Sequence, residues 1–164
     1  MDALGHNRRM ALARIKLYTV DEAERTLPLV KRIVRDIMTN FDEHEKRLIE
    51  RKKLPLTPPP GGSVEDAAFA LEREMDTFRD EVLRCQRELE TMGIELKDYR
   101  IGLLDFYSRY DGRIVFLCWK NDEGDNLRYF HDIQAGFPGR TPITPVNRHR
   151  FVGMEPGQKF IDIK

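Results

Sequence analysis

Apolar residues recur at alternating steps of three and four positions in two long segments of the chain, Ala23 to Leu48 and Val64 to Met92. In each segment the spacing persists for more than three heptads, as is typical of helices that pack along a coiled-coil seam. Between them, Leu54–Gly62 holds four prolines and two glycines and cannot continue a helix. The pattern predicts an antiparallel helical hairpin, with helices over about residues 20–53 and 63–92.

The ends of both helices carry recognisable signals. Thr19 followed by Glu22 matches a capping box, which predicts that the first helix begins just after Thr19. Ser63 is the predicted N-cap of the second helix, and Gly93 is the residue that ends it. Pro28 lies inside the first helix and removes one backbone hydrogen bond there. Because the apolar spacing continues unchanged through Pro28, the sequence predicts a kink rather than a break.

Beyond the second helix the apolar pattern changes to an alternation of period two, which is typical of strands. The alternation begins in Ile94–Asp98, and three longer runs follow, at residues 102–108, 113–120 and 127–133. The dipeptide Asp111-Gly112 between the first two runs is the signal of a two-residue hairpin turn. The predicted fold class is therefore α+β: a long, coiled-coil-like helical hairpin with an antiparallel β-meander of about three strands over residues 94–133.

The length of 164 residues suits one domain. We predict a single α+β domain over residues 14–142, preceded by a mobile leader (1–13) and followed by an irregular C-terminal tail (143–164). Some apolar residues lie off the seam of the hairpin, where two helices alone would leave them in water. We expect these residues to contact the sheet or a second copy of the chain in a homodimeric four-helix bundle. They are Ile33, Met38, Ile49, Phe69 and Leu83.

The composition argues against some classes of binding partner. The 28 basic and 28 acidic residues give a formal net charge of +0, so bulk electrostatics attract neither nucleic acid nor an anionic membrane. No apolar run approaches the length of a membrane span, and the N-terminus lacks the apolar core of a signal peptide. Cys85 and Cys118 are interpreted as reduced core residues. We therefore expect a cytoplasmic protein without nucleic-acid or membrane partners.

The register of the predicted meander brings three titratable residues together. A two-residue turn at Asp111-Gly112 pairs Asp105 with Cys118. A loop over Asn121–Asn126 then pairs Cys118 with the third strand so that His131 points to the same face of the sheet. Two tyrosines, Tyr107 and Tyr129, share that face. The opposite face is apolar and is expected to pack on the helices.

Three uses of this polar face are open. Asp105, Cys118 and His131 form a carboxylate, thiolate and imidazole triad, a ligand set that suits zinc or iron. Asp105 and His131 alone could instead act as an acid and base pair around a small ligand. In the third alternative these groups only satisfy one another by hydrogen bonds. No complete catalytic or metal-binding motif decides between them, since C-x-x-C, H-E-x-x-H, P-loop and G-x-S-x-G sequences are all absent.

A second candidate lies in the loop Gly136-Phe-Pro-Gly-Arg140. Gly136 and Gly139 could expose backbone amides, and Arg140 could bind a carboxylate or phosphate with two hydrogen bonds. That combination indicates an anion site. The alternative is a tight turn in which Arg140 pairs with an acidic residue of its own chain, for instance Asp105 or Asp132.

Several short motifs are distributed along the chain: Tyr18–Ala23, Leu27-Pro28, Gly93–Asp98, Gly102–Phe106, Leu117–Trp119, Phe130-His131 and Gly136–Arg140. Taken together, these motifs resemble a family of bacterial and archaeal domains of unknown function, family 2203. The resemblance covers about residues 15–142 and leaves the tail outside. Members typically have proline where this chain has Tyr107, and tryptophan and glutamate where it has Phe130 and Asp132, so a fixed catalytic role for Asp132 is not implied. The resemblance supports the architecture and implies no known activity.

Two functions of different classes follow from the sequence. The first is a non-enzymatic helical-hairpin protein that forms homodimers and acts through contacts with an unidentified protein partner, because most of the apolar pattern forms a long seam. The second is a metal- or anion-dependent protein with a site built on Asp105, Cys118, His131 and Arg140, which requires these side chains to converge.

Overall fold

The computed structural model describes residues 13–55, 60 and 64–163. The predicted leader up to residue 12 and the predicted cap Ser63 therefore lie outside the described residues. Two long helices are followed by a series of strands and two single 3₁₀ turns. The elements are β1 (Ala13–Ile15), α1 (Val20–Lys53), α2 (Val64–Thr91), β2 (Ile94–Asp98), β3 (Leu103–Tyr110), β4 (Arg113–Lys120), β5 (Tyr129–Asp132), a 3₁₀ turn (Phe137–Gly139), β6 (Thr141–Pro142), a second 3₁₀ turn (Arg148–Arg150), β7 (Phe151–Val152) and β8 (Ile161–Ile163).

The two helices pack against each other, and the sequence signals at the start of α1 and after the end of α2 are confirmed. The Thr19 hydroxyl accepts the Glu22 amide at 3.1 Å, and the Glu22 carboxylate accepts the Thr19 amide at 3.0 Å, which completes the capping box. Gly93 follows α2 with a φ of +73°, the left-handed conformation common after a helix. α1 continues without interruption through Pro28, so the proline does not break the helix.

The sheet is larger than predicted. Six strands of the described residues take part: β2, β3, β4, β5 and β6 lie side by side in that order, and β7 pairs with β3. The central meander of β3, β4 and β5 was predicted, and the turn at its first corner has φ of +49° at Asp111 and +80° at Gly112, as the two-residue turn requires. The estimate of about three strands was wrong for two reasons. The alternating segment β2 also pairs with β3, and β6 and β7 contain two residues each, too few for an alternating pattern.

The C-terminal tail, which we expected to be irregular, contributes two of the eight strands in the part of the chain that the structure describes. Phe151 and Val152 pair with the end of β3, and Ile161–Ile163 pairs with Ala13–Ile15 in a separate two-stranded sheet. Arg148 also binds Asp21 and Glu24 on α1. The tail is therefore held on the domain by contacts with β1, β3 and the start of α1, all distant from it in sequence.

The core lies between one face of the sheet and the helices. Leu104, Phe106, Leu117 and Trp119 contribute from the sheet and are fully buried. In the described part of the hairpin, the buried residues of α1 end at Ile37 and those of α2 begin at Val82. The distal halves of both helices therefore extend beyond the main core and pack mainly against each other.

The off-seam apolar residues have different environments. Ile33 is buried and Met38 is half-buried against the core, whereas Ile49, Phe69 and Leu83 are 53%, 61% and 41% exposed. Packing on the domain therefore accounts for the first two residues and leaves the other three in solvent. Among the described residues, neither helix has a stretch apolar enough to cross a lipid bilayer.

Candidate metal centre

The predicted register of the central strands is confirmed residue by residue. Asp105 on β3 pairs with Cys118 on β4, and β5 aligns so that Phe116 pairs with His131. Because side chains alternate between the two faces of a sheet, these pairings bring Asp105, Cys118 and His131 to the face opposite the helices. All three are buried, at 3%, 0% and 3% exposure.

The three side chains converge closely enough to share an ion. One ligand atom from each, a carboxylate oxygen, the sulfur and a ring nitrogen, lies within 4.8 Å of the other two. His131 Nε2 lies 3.2 Å from Asp105 Oδ1. Ligand atoms bound to one tetrahedral zinc ion at about 2.0–2.3 Å lie roughly 3.3–3.6 Å apart. The arrangement therefore needs only small side-chain movements to enclose a metal.

The orientation of the histidine ring favours coordination through Nε2. His131 Nδ1 lies 2.9 Å from the backbone carbonyl of Asp132. In the tautomer that carries the proton on Nδ1, that nitrogen donates to the carbonyl and Nε2 presents its lone pair to the cluster. A hydrogen bond from the second ring nitrogen to a carbonyl or carboxylate is the usual support for a metal-binding histidine.

Burial also determines the charge state of the cluster. It raises the pKa of the Asp105 carboxyl, an effect that His131 partly offsets. It raises the pKa of the Cys118 thiol to about 12, with a further contribution from the negative charge of Asp105. Although the nearby Arg140 charge lowers this pKa in part, the thiol is protonated at neutral pH and is a poor nucleophile. A bound divalent cation supplies the positive charge that makes a thiolate and a carboxylate stable together.

Aromatic and charged side chains surround the cluster on the same face. Glu95 pairs with Asp105 across β2 and β3, and its carboxylate accepts hydrogen bonds from the Tyr107 hydroxyl and the Lys97 ammonium group. The Phe116 ring packs against the His131 ring with centroids 5.5 Å apart. Sequence reasoning did not include Glu95 in the site, although its alternating strand was recognised.

In the second predicted site, the Gly136–Arg140 loop, the Arg140 side chain is already bound by groups of its own chain. The Arg140 guanidinium binds the Glu123 carboxylate with nitrogen to oxygen distances of 2.6 and 2.7 Å. It also donates to the Cys118 carbonyl at 3.3 Å and lies over the Tyr129 and Phe137 rings. Arg140 therefore forms an ion pair within its own chain, which was the alternative to an anion site. Its partner is Glu123 rather than Asp105 or Asp132. Glu123 was missed because it lies in a loop whose conformation has no periodic signal.

The two glycines of this loop have structural roles. Gly136 adopts a φ of +61°, which side chains rarely allow. A Cβ on Gly139 would lie 2.5 Å from the Ala135 Cβ, so only glycine fits there. The geometry thus accounts for Gly136, Gly139 and Arg140 through the turn and the Glu123 pair, and it leaves the Asp105, Cys118 and His131 cluster as the candidate site.

The fold and the site define an α+β protein in which a helical hairpin covers one face of an antiparallel sheet and a buried Asp–Cys–His cluster lies on the other. Residues 16–143 match the model of a family described as uncharacterized conserved protein (DUF2203). The chain therefore belongs to this family, which confirms the resemblance seen in its motifs. No curated protein and no solved structure matches the chain.

Proposed function

We propose that this protein binds a divalent transition-metal ion through Asp105, Cys118 and His131. The observation that carries the proposal is the convergence of these three ligand types within 4.8 Å on a buried sheet face. Burial of a carboxyl, a thiol and an imidazole is unfavourable unless the groups are neutralised or hydrogen-bonded. A metal ion satisfies all three at once.

The mixed oxygen, sulfur and nitrogen ligands suit zinc and ferrous iron, as the sequence indicated. Zinc is favoured because divalent zinc binds a given nitrogen and sulfur site more tightly than ferrous iron does. The thiolate and the carboxylate together balance the charge of a divalent ion, and the fourth position is left to a water molecule or an external ligand.

Three protein ligands with an open fourth position are the usual coordination of a catalytic zinc ion, but the burial of these ligands restricts access of a substrate, so we assign the metal a role in stability. The side chains of His131 and Asp105 are only 3% and 4% exposed. We therefore infer a protein whose sheet is stabilised by metal, without assigning it a reaction. A ligand at 100 times its dissociation constant stabilises the folded state by about 2.7 kcal/mol, so the metal would make a large contribution to the stability of the domain.

Elemental mass spectrometry of the untagged protein tests the proposal, combined with thermal unfolding before and after chelation. We expect near-stoichiometric zinc in the wild type, its loss in Cys118→Ser and Asp105→Asn, and a lower melting temperature after chelation that added zinc restores. Cys85→Ser is the matched control, because Cys85 is also a buried cysteine but lies on α2. A folded wild-type protein that takes up no metal from equimolar zinc would refute the proposal. Unchanged metal content in Cys118→Ser would refute it too.

A second candidate function, homodimerisation through the hairpin, rests on a different observation. Phe69 and Ile49 are 61% and 53% exposed on the distal helices. Closer to the sheet along the same hairpin, a mostly apolar groove of about 200 Å³ is lined by Phe41, Val82, Leu83 and Tyr99, among others. Burial of this apolar surface by a second copy would be favourable, and the protein would then act as a non-enzymatic interaction module.

Light scattering coupled to size exclusion chromatography tests the dimer. We expect a dimer in the wild type and a shift to monomer in Phe69→Ser combined with Leu83→Ser. Leu29→Ser is the control, because Leu29 is similarly exposed, at 43%, but lies on the proximal part of α1. A wild-type monomer at every concentration would exclude this function and would leave the metal proposal untouched.

A further inference from the structure

A cavity of about 520 Å³ lies where the N-terminal strand, both helices and the C-terminal tail meet. Lys16 and Tyr18 line it from the segment after β1, Arg25 from the second turn of α1, and Thr91 from the last residue of α2. The remaining wall comes from the tail, between Met154 and Phe160. That wall lies beyond residues 16–143, which the family model matches, and it takes no part in the metal proposal.

The tail wall is held in place on both sides. A Cβ at Gly153 would lie 2.7 Å from a carboxylate oxygen of Glu22 and 3.1 Å from the Thr19 nitrogen, so the backbone packs directly on the capping box. The Leu17 amide lies 3.2 Å from the Met154 sulfur. After Phe160 the chain enters β8 and pairs with β1. The cavity is therefore framed by ordered backbone on each side.

Positive charge is concentrated around this cavity. Lys16, Arg25 and Lys159 line it together with one acidic residue, Glu22. Within the part of the chain that the structure describes, none of the three cations has a carboxylate within 4 Å. Glu22 already accepts the Thr19 amide. The lining thus has a net charge of +2 in a protein whose formal net charge is +0.

The rest of the lining is apolar or neutral. Leu17 and Tyr18 are each 2% exposed and form the floor, and burial raises the pKa of Tyr18 to about 12, so its hydroxyl adds no negative charge. Phe160 is 49% exposed at the rim. Cavities of about 300–1,000 Å³ with an apolar lining and a few charged groups are typical of small-molecule sites.

We propose that this cavity binds a small phosphorylated molecule, a dianionic phosphomonoester with an apolar or aromatic body. The lining charge of +2 matches a phosphomonoester dianion better than a carboxylate, which carries one charge. Arg25 and the two lysines would contact the phosphate through charge-assisted hydrogen bonds. The Phe160 ring and the apolar floor would contact the body of the ligand.

Isothermal titration calorimetry of the full chain with phenyl phosphate, inorganic phosphate and benzoate, at constant ionic strength, tests this site. We expect saturable binding of phenyl phosphate, weaker binding of inorganic phosphate and the weakest binding of benzoate. Arg25→Gln and Lys159→Gln should each weaken phenyl phosphate binding about tenfold, the effect of losing one charge-assisted hydrogen bond. Phe160→Ala should weaken phenyl phosphate binding but leave inorganic phosphate unchanged.

Arg32→Gln is the matched control, because Arg32 is an exposed arginine of α1 that does not line the cavity. Its affinity for phenyl phosphate should equal that of the wild type. The proposal is overturned by the absence of saturable binding in the wild type, or by an equal loss of affinity in Arg32→Gln and Arg25→Gln. Benzoate bound as tightly as phenyl phosphate would refute the phosphate specificity. Circular dichroism of each variant confirms that a loss of binding is not a loss of folding.

Discussion

Gly102 allows the sheet to approach α1, and its replacement by alanine should destabilise the protein strongly. It is buried immediately before β3 and has a φ of +62°. A Cβ at this position would lie 2.6 Å from a methyl carbon of Val34, 2.8 Å from the Met38 sulfur and 2.9 Å from the Asn121 Cβ. Contacts under 3.0 Å between these atoms require that the sheet, the helix or the loop moves.

Two effects add up in Gly102→Ala. The left-handed backbone conformation costs an alanine about 1 kcal/mol relative to glycine. Forcing an extra carbon into a packed core costs typically about 1–3 kcal/mol. We therefore expect the free energy of unfolding to fall by about 3 kcal/mol, a large fraction of the stability of an ordinary domain.

Urea unfolding followed by circular dichroism measures the effect, and Gly112→Ala separates its two causes. Gly112 has a φ of +80°, but a Cβ there would meet no heavy atom within 4 Å. This control should lose only the backbone contribution, about 1 kcal/mol. If the two substitutions destabilise the protein equally, the packing of Gly102 against α1 is not what holds the sheet and the helix together.

Three other sites test separate parts of the fold, each by urea unfolding. Burial raises the pKa of Tyr18 to about 12 in the folded protein from about 10 in the unfolded chain. The folded state therefore retains the proton longer, and stability should fall as pH rises from about 10 to 12; Tyr18→Phe should remove about 2 kcal/mol of that fall. Glu123→Gln leaves the buried Arg140 guanidinium without its counter-charge and should cost about 3 kcal/mol, whereas adding Arg140→Met should recover part of the loss. Thr19→Ala removes the acceptor of the Glu22 amide and should cost about 1 kcal/mol, but Thr19→Ser should not.

The meeting of Asp105, Cys118 and His131 could be predicted from the sequence because, in an antiparallel sheet, one turn determines how all residues of the two strands pair. The turn at Asp111-Gly112 determines the whole β3–β4 register, so that Asp105, six residues before Asp111, pairs with Cys118, six residues after Gly112. The alternation of apolar residues then assigns His131 to the same face. A short turn and a period of two thus specify contacts between residues far apart in the chain.

Other contacts depend on information that such patterns do not contain. The partner of Arg140 is Glu123, and this pairing depends on the path of an irregular loop. The strands β6, β7 and β8 have two or three residues each, so that their positions follow from tertiary contacts rather than from periodicity. Dimerisation likewise remains a prediction, because the exposure of Phe69 and Ile49 identifies a surface and not its partner.

The pairing of β1 with β8 joins opposite ends of the described chain, and it influences the order in which the protein folds. Two strands of three residues each are not stable alone, and closing so long a loop is entropically unfavourable until other contacts have formed. We therefore expect this pair to form after the rate-limiting step. Substitutions in it should accelerate unfolding and leave the refolding rate unchanged. The cavity that we propose as a phosphomonoester site, whose wall leads into β8, would then be the last part of the molecule to assemble and the first to be lost.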